Sequence, residues 1–310
     1  MKKYSQRGAA VIVAMLVMTL ATTAAVFMAG QQALWFEQVN ALNARSESVS
    51  LARSGTDWAR GILAEDARKN GSTDHLGENW ATRLAGMPVE SASIGGAIAD
   101  QQGLFNLNNL LQNDGDSAAD MEQFKRLLEE LKLPPDLVNA VLDWIDADGT
   151  AHYPGGAEDS DYLLGDHPYR AANRLLVSVE ELYRVRGFNE KMIARLRPFV
   201  TALPGRTPIN VNTAPPQVLL ALLPGYAMSE VESLVDKREE AHFKDKEDFA
   251  ARLPRPLPGL NKEAFDVKSS YFLATVMVQT DRMETAYATL LSRPAGGGWP
   301  TVLWQQAITD

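Results

Sequence analysis

Seven carboxylates crowd into DWIDADGTAHYPGGAEDSDYLLGD, residues 143–166, with no Lys or Arg among them: Asp143, Asp146, Asp148, Glu158, Asp159, Asp161 and Asp166. Like charges at that density repel one another unless water or a cation neutralises them. Asp143 and Asp146 stand about one helical turn apart and can point the same way. Asp148-Gly149 and Pro154-Gly155-Gly156 then let the backbone turn back sharply. Hard carboxylate oxygens suit calcium, which takes about 6 to 8 oxygens in flexible geometry. The spacing is not that of an EF-hand: counted from Asp146, the fifth position is Thr150, Gly149 comes too early and the twelfth is Ala157. Composition leaves two readings open, a solvated acidic loop and a calcium site.

Other chemistry finds little support. The chain has no cysteine, which removes disulfides, thiolate metal sites and a cysteine nucleophile. None of His75, His152, His167 and His242 lies at a metal-ligand spacing, and no G-x-S-x-G, Walker or dinucleotide loop occurs. His152, in a loop beside acids, reads as solvated. A calcium-dependent hydrolase would need a triad, which spacing alone does not reveal. The net charge of -9 argues against a nucleic-acid backbone as ligand.

The acidic loop must be held by the elements around it. Residues 110–262 read as short helices joined by tight turns: FKRLLEELKL, Pro134-Pro135 and DLVNAVLDWI form a helical hairpin leading into the loop. Two later segments echo each other. VEELYRVRGFNEKMIARL aligns with QVLLALLPGYAMSEVESLV, matching Leu182 to Leu220, Gly187 to Gly225 and Ile193 to Val231, so each is helix, glycine turn, helix. Asn212 or Thr213 is positioned to cap the helix that follows, with Pro215 in its first turn. INVNTA with the Leu-rich helix and Pro-Gly resembles helix-hairpin-helix DNA-binding proteins, but the second glycine usual there is missing. The next helix carries Glu230, Glu232, Asp236, Glu239 and Glu240, which oppose a polyanion. The repeats read as packing modules.

Strands flank this block. VESASIGGAIADQQGLFNLNNL reads as one or two strands, SSYFLATVMVQTDRMETAYATLLSR as two around a charged turn near Asp281-Arg282, and WPTVLWQQ as a last one. Strands on both sides imply a helical domain inserted into one small antiparallel sheet, an α+β chain.

The N-terminal region supplies the remaining element. Lys2, Lys3 and Arg7 are the only charges before Glu37, and Ala9 to Gly30 is an uncharged apolar stretch of 22 residues, long enough to cross a ~30 Å hydrocarbon core. The basic leader marks the cytoplasmic side and places the rest beyond the inner membrane. Ala24, Ala25 and Ala29-Gly30 also fit a cleaved secretory signal, although the apolar core is long for one. The pattern runs on without proline through Leu42, Val49 and Ile62, so one helix is expected from about Ala9 to about Ala64. The apolar face of its second half, carrying Leu34, Val39, Leu42 and Val49, needs a neighbour, either a partner helix or the chain's own sheet.

The basic leader ending in glycine, followed by an apolar helix that continues as an amphipathic one, resembles the type IV pilin and pseudopilin class. That resemblance implies prepilin peptidase cleavage after Gly8 and N-methylation of Ala9, leaving 1–8 as leader and 9–30 as the membrane span. Most members have a glutamate at the fifth mature residue, thought to pair with the N-terminal amine of a neighbouring subunit; here that position is Val13. A buried unpaired amine is costly, so the missing acid implies a subunit with no such neighbour above it, at the fibre tip. Asp143-Trp144, Asp146-Ala147-Asp148, Gly156-Ala157-Glu158-Asp159 and Tyr162 are similar to the motifs of the type II secretion system protein K family.

The family resemblance implies calcium, one or two structural ions, in the α-helical domain, with Asp146, Asp148, Glu158, Asp159 and Asp161 as ligands and Asp143 beside them. It implies a pilin-like fold: the long helix packed on a sheet built from residues 31–109 and 263–310, with 110–262 inserted. It implies a non-enzymatic minor pseudopilin in the inner membrane of a Gram-negative bacterium, its C-terminal domain in the periplasm. The implied partners are the I and J minor pseudopilins, the major pseudopilin, the prepilin peptidase, and a secretin or exoprotein cargo, with no nucleic acid. A type IV pilus minor pilin or a helix-hairpin-helix DNA-uptake protein is the alternative.

Overall fold

The computed structural model describes residues 7–89, 92–112, 115–165, 167–280 and 283–308. Most of the leader, Asp166 and the turn at Asp281-Arg282 lie outside the described residues. The first described element is a single helix, α1 (Arg7–Lys69), 63 residues long. It ends five residues beyond the expected Ala64, with Arg68 and Lys69 in the last turn, where cations offset the exposed carbonyl end of the helix. Its first part is uncharged, solvent-facing and apolar enough to cross a membrane.

Five antiparallel strands form the main sheet, in sequential order: β1 (Leu84–Val89), β2 (Ala92–Asp100), β3 (Tyr271–Thr280), β4 (Glu284–Ser292) and β5 (Thr301–Ile308). Register pairs include Ile94↔Val278, Val276↔Tyr287 and Ala288↔Gln306. Along β3 burial alternates strictly, so Phe272, Ala274, Val276 and Val278 face α1. The facing stripe of α1 is Ser48, Ala52, Thr56, Ala59 and Leu63, small residues until the last. Gly55 belongs to it as well: a Cβ there would lie 2.7 Å from Val276 Cγ1, so glycine sets how closely helix and strand approach. β1 was not expected, because LAGMPV lacks alternation and its side chains are mostly exposed.

Between β2 and β3 the chain leaves the sheet and returns, with Asp100 and Phe272 in register. The inserted part is α-helical: α2 (Ala118–Glu130), α3 (Leu137–Ile145), α4 (Asp159–Tyr162), α5 (Glu190–Leu196), α6 (Pro216–Leu222), α7 (Met228–Glu240) and α8 (Lys246–Ala251). It holds the largest hydrophobic core, around Phe105, Phe124, Leu128, Val141, Leu219 and Phe249. The insertion therefore starts and ends nearer the strands than the expected limits of 110 and 262.

The repeat is real in its turns and unequal in its helices. Gly187 and Gly225 both have positive φ, 88° and 78°, the left-handed region that a side chain disfavours. The first helix of the earlier module is a 3-10 turn, Val179–Arg184, whereas its counterpart α6 is α-helical. The expected cap of α6 is also corrected. Pro215 occupies the N-cap position. Asn212 instead exchanges two hydrogen bonds with the Phe243 backbone, at 2.9 and 2.8 Å, and the Thr213 hydroxyl donates to Asp100 at 2.6 Å.

Candidate metal centre

Every residue of α3 is buried, so the helix is a fixed rail at the centre of the block, and Asp143 and Asp146 lie at its end. Asp146 closes the helix, its N–H donating to Leu142 O at 2.9 Å. The loop then folds back over the helix end. Asn139 Nδ2 donates to Pro154 O at 2.7 Å and ties the return stretch to α3. Gly156 passes so close that a Cβ would fall 2.2 Å from Asp143 Oδ2 and 2.3 Å from His152 O, so only glycine fits. Glu158 then starts α4, its N–H donating to Asp161 Oδ2 at 3.2 Å. Tyr162 of this helix packs edge-on against Trp144 of α3, and Tyr169 contacts both rings.

These elements bring Asp146, Asp148 and Glu158 together, one oxygen of each within 4.8 Å of the others. That span matches oxygens about 2.3–2.6 Å from one calcium ion. Asp146 is 5% and Glu158 4% exposed, while Asp148 faces solvent. Both carboxylate oxygens of Asp146, and Glu158 Oε1, are buried without a hydrogen-bond partner. Uncompensated oxygens of this kind are costly, and a hard cation is the species their geometry and charge fit. Burial, then the charges of Asp148 and Asp143, pushes Asp146 up to about 6. Burial, then Asp146, Asp143 and Asp148, pushes Glu158 up to about 7.

The other expected ligands are engaged elsewhere. Asp159 accepts from the Ala171 N–H at 3.0 Å and lies 3.8 Å from Arg170. Asp161 pairs with Arg186 at 2.6 Å. Asp143, fully buried, meets His152 Nδ1 at 2.5 Å and also accepts from the His152 N–H. His152 Nε2 lies 2.9 Å from Asp116 Oδ2. Both ring nitrogens thus face carboxylates, and the protonated ring would donate to each of them. Burial opposes the imidazolium, but the hydrogen bonds and charges of Asp143 and Asp116 outweigh it and raise the His152 pKa. His152 is therefore not the solvated side chain expected from its neighbours. Its partner Asp116 is distant in sequence, and no local pattern announced it.

The remaining expected sites lie along α1. Ala9 and Val13 are exposed on its apolar first part, which begins one residue before Gly8. Leu34 and Leu42 are 60% and 67% exposed, while Val39 and Val49 are half-buried. Of the helix-hairpin-helix-like turns, the one at Gly225 is covered: Arg255 donates to the Gly225 carbonyl and stacks over the Tyr226 ring at 4.3 Å.

Comparison with known proteins gives consistent relatives. Family models described as "Type II secretion system (T2SS), protein K" match residues 103–205 and 209–268. Type II secretion system protein K of Pseudomonas aeruginosa is 34% identical, covering 92% of this chain and 88% of its own length. The protein of that name from Aeromonas hydrophila is 32% identical, over 88% and 89%. Among solved structures, a chain of the GspK-GspI-GspJ complex from the enterotoxigenic Escherichia coli Type 2 Secretion System superposes with a TM-score of 0.78 at 25% identity. The match covers 88% of this chain and 100% of that one.

Proposed function

The chain belongs to the type II secretion system protein K family, and from that premise we propose that this minor pseudopilin sits at the tip of the pseudopilus, where it starts or caps assembly. The observation that carries the tip position is Val13: the apolar part of α1 offers no acid to the amine of a subunit above it. The helical block agrees with that position, since a mass of this size inserted beside β3 obstructs stacking of another globular head. Cleavage after Gly8 by the prepilin peptidase would free Ala9 for methylation and leave α1 anchored in the inner membrane with the sheet and block in the periplasm. The complex in which the structural neighbour was solved supports I and J subunits as partners. The exposed Leu34 and Leu42 are the surface on which their helices, or that of the major pseudopilin, would lie. The far side of the block is then free for a secretin or exoprotein cargo.

Calcium at Asp146, Asp148 and Glu158 would be structural, locking the end of α3 to the start of α4. We assign it no catalytic part.

The test is made in native membranes. A photo-crosslinking residue at Leu42 should capture I or J subunits, and mass spectrometry of the mature chain should begin at Ala9. The tip reading fails if a crosslinker at Val13 captures a major pseudopilin on the distal side as often as on the proximal side.

A further inference from the structure

We propose that Asp66, Asp74 and Glu78 form a second site, separate from the acidic loop, that binds a hard divalent cation where α1 ends. Asp66 lies in the last turns of α1, Asp74 in the connection that follows, and Glu78 caps the short 3-10 helix Asn79–Ala81. All three are buried, and one oxygen from each lies within 4.8 Å of the others. Arg293 covers one side, meeting Asp66 Oδ2 at 3.0 Å and Asp74 at 2.5 Å. With all three carboxylates ionised, one guanidinium would leave two negative charges, which a divalent ion would balance.

Glu78 points to where that ion would sit. Its Oε2 accepts from the His75 N–H at 3.1 Å and from Trp80 Nε1 at 2.7 Å, which fixes the carboxylate. The other oxygen, Oε1, is buried without a hydrogen-bond partner in a residue only 6% exposed. Asp66 Oδ1 has a long contact, 3.5 Å, to Asn70 Nδ2. Turning that amide over would present its oxygen as a further ligand. A cavity of about 550 Å³ lined by Asp66, Asn70, Thr73, His75, Glu78 and His242 gives an ion and its waters access. Burial pushes Glu78 up to about 7, a cost that a bound cation would relieve with release of a proton.

The donor set decides the class of ion. His75 Nε2 is 3.7 Å from Glu78 Oε1, within reach of a shared metal. The Gly77 N–H, however, donates to His75 Nδ1 at 3.2 Å, so the neutral ring keeps its proton on Nε2 and has no lone pair there for a metal. Only oxygens remain, which favours Ca²⁺, Mg²⁺ or Mn²⁺ over Zn²⁺. The ion would fasten the end of α1 to the segment leading into β1. Asn210 of the helical block donates to the Asp74 carbonyl at 3.1 Å, so the same ion would steady the joint between sheet and block.

The test uses Mn²⁺ as probe on the full chain in detergent, and its outcome does not depend on the tip reading. With the loop silenced by Asp146→Asn and Glu158→Gln, electron paramagnetic resonance should still count one bound Mn²⁺. Adding Glu78→Gln or Asp66→Asn should weaken that binding at least tenfold while circular dichroism stays unchanged. In the unaltered protein, Mn²⁺ should quench a component of tryptophan emission that Trp80→Phe removes, a reading that holds even if the carboxylate variants misfold. No Mn²⁺ bound in the loop-silenced protein, or quenching unaffected by Trp80→Phe, would overturn the proposal.

Discussion

Asp146 ends α3 and Glu158 begins α4, and their buried carboxylates converge although the chain between them makes a full excursion through solvent. Each oxygen pair is positioned by a helix terminus, so the distance between them is set by helix packing. A cation seated there would join two elements that the chain links through a loop.

Calcium should therefore stabilise the protein measurably. At a free concentration about 100 times Kd, a ligand that binds only the folded state contributes about 2.7 kcal/mol. For a unit of this size that corresponds to a Tm roughly 5–10 °C higher in calcium than in chelator. Asp146→Asn should remove most of the difference. Equal melting in both conditions, with no calcium by elemental analysis, would refute the loop site.

The pH dependence should change sign with calcium. Asp146 and Glu158 are raised to about 6 and about 7, above their unfolded values near 4. A raised carboxyl binds its proton more tightly when folded, so its contribution is fully present below about pH 4 and is lost as pH rises through 6 to 7. In chelator, stability attributable to the pair should fall over that window by on the order of 2–4 kcal/mol, less than the sum of two independent sites because the groups are coupled. In calcium the slope should reverse, because the ion requires both carboxylates ionised. Urea melts at pH 5 and pH 7.5, with and without calcium, give the four values needed.

Gly156→Ala should be severely destabilising for its size. The added methyl would overlap Asp143 Oδ2, which belongs to the buried helix α3, and the backbone carbonyl of His152. A loss of about 2–3 kcal/mol is expected, together with the calcium-dependent shift in Tm. Gly149→Ala, where a Cβ meets nothing within 4 Å, is the matched control and should be close to neutral.

Arg293→Met should cost about 3–5 kcal/mol, since it leaves Asp66 and Asp74 buried without their counter-charge. The companion change Arg293→Met with Asp74→Asn should recover part of that loss. Denaturant unfolding of the unaltered protein, of Arg293→Met, of Asp74→Asn and of the double variant closes the cycle, and strictly additive losses would show that the pair is uncoupled.

Long-period features were legible and remote partnerships were not. The apolar run, the continuing pattern through Ile62 and the alternation in YFLATVMVQT announced α1 and β3, because each is a local repeat that only one backbone geometry satisfies. The carboxylates Asp146, Asp148 and Glu158 were visible as a density of like charge. Asn212, Thr213 and His152 depart from their sequence expectation for one shared reason. Their side chains serve Phe243, Asp100, Asp143 and Asp116, and three of these four are far away in sequence. Local rules award such residues to the nearest helix or to solvent, whereas the folded chain uses them to pin distant segments. The pairing of Asp159 with Arg170 and of Asp161 with Arg186 was hidden likewise, because acid density alone does not say which carboxylates already have a basic partner.

Asp100 and Phe272 are cross-strand neighbours, so the backbone enters and leaves residues 101–270 through a gap about 5 Å wide. A two-residue hairpin turn would close that gap and leave a continuous five-stranded meander behind α1. The half of the molecule made of α1 and the sheet is thus topologically complete without the inserted helices. The block is thus inserted at a single point of the sheet, and its size is not constrained by the register of the strands on either side.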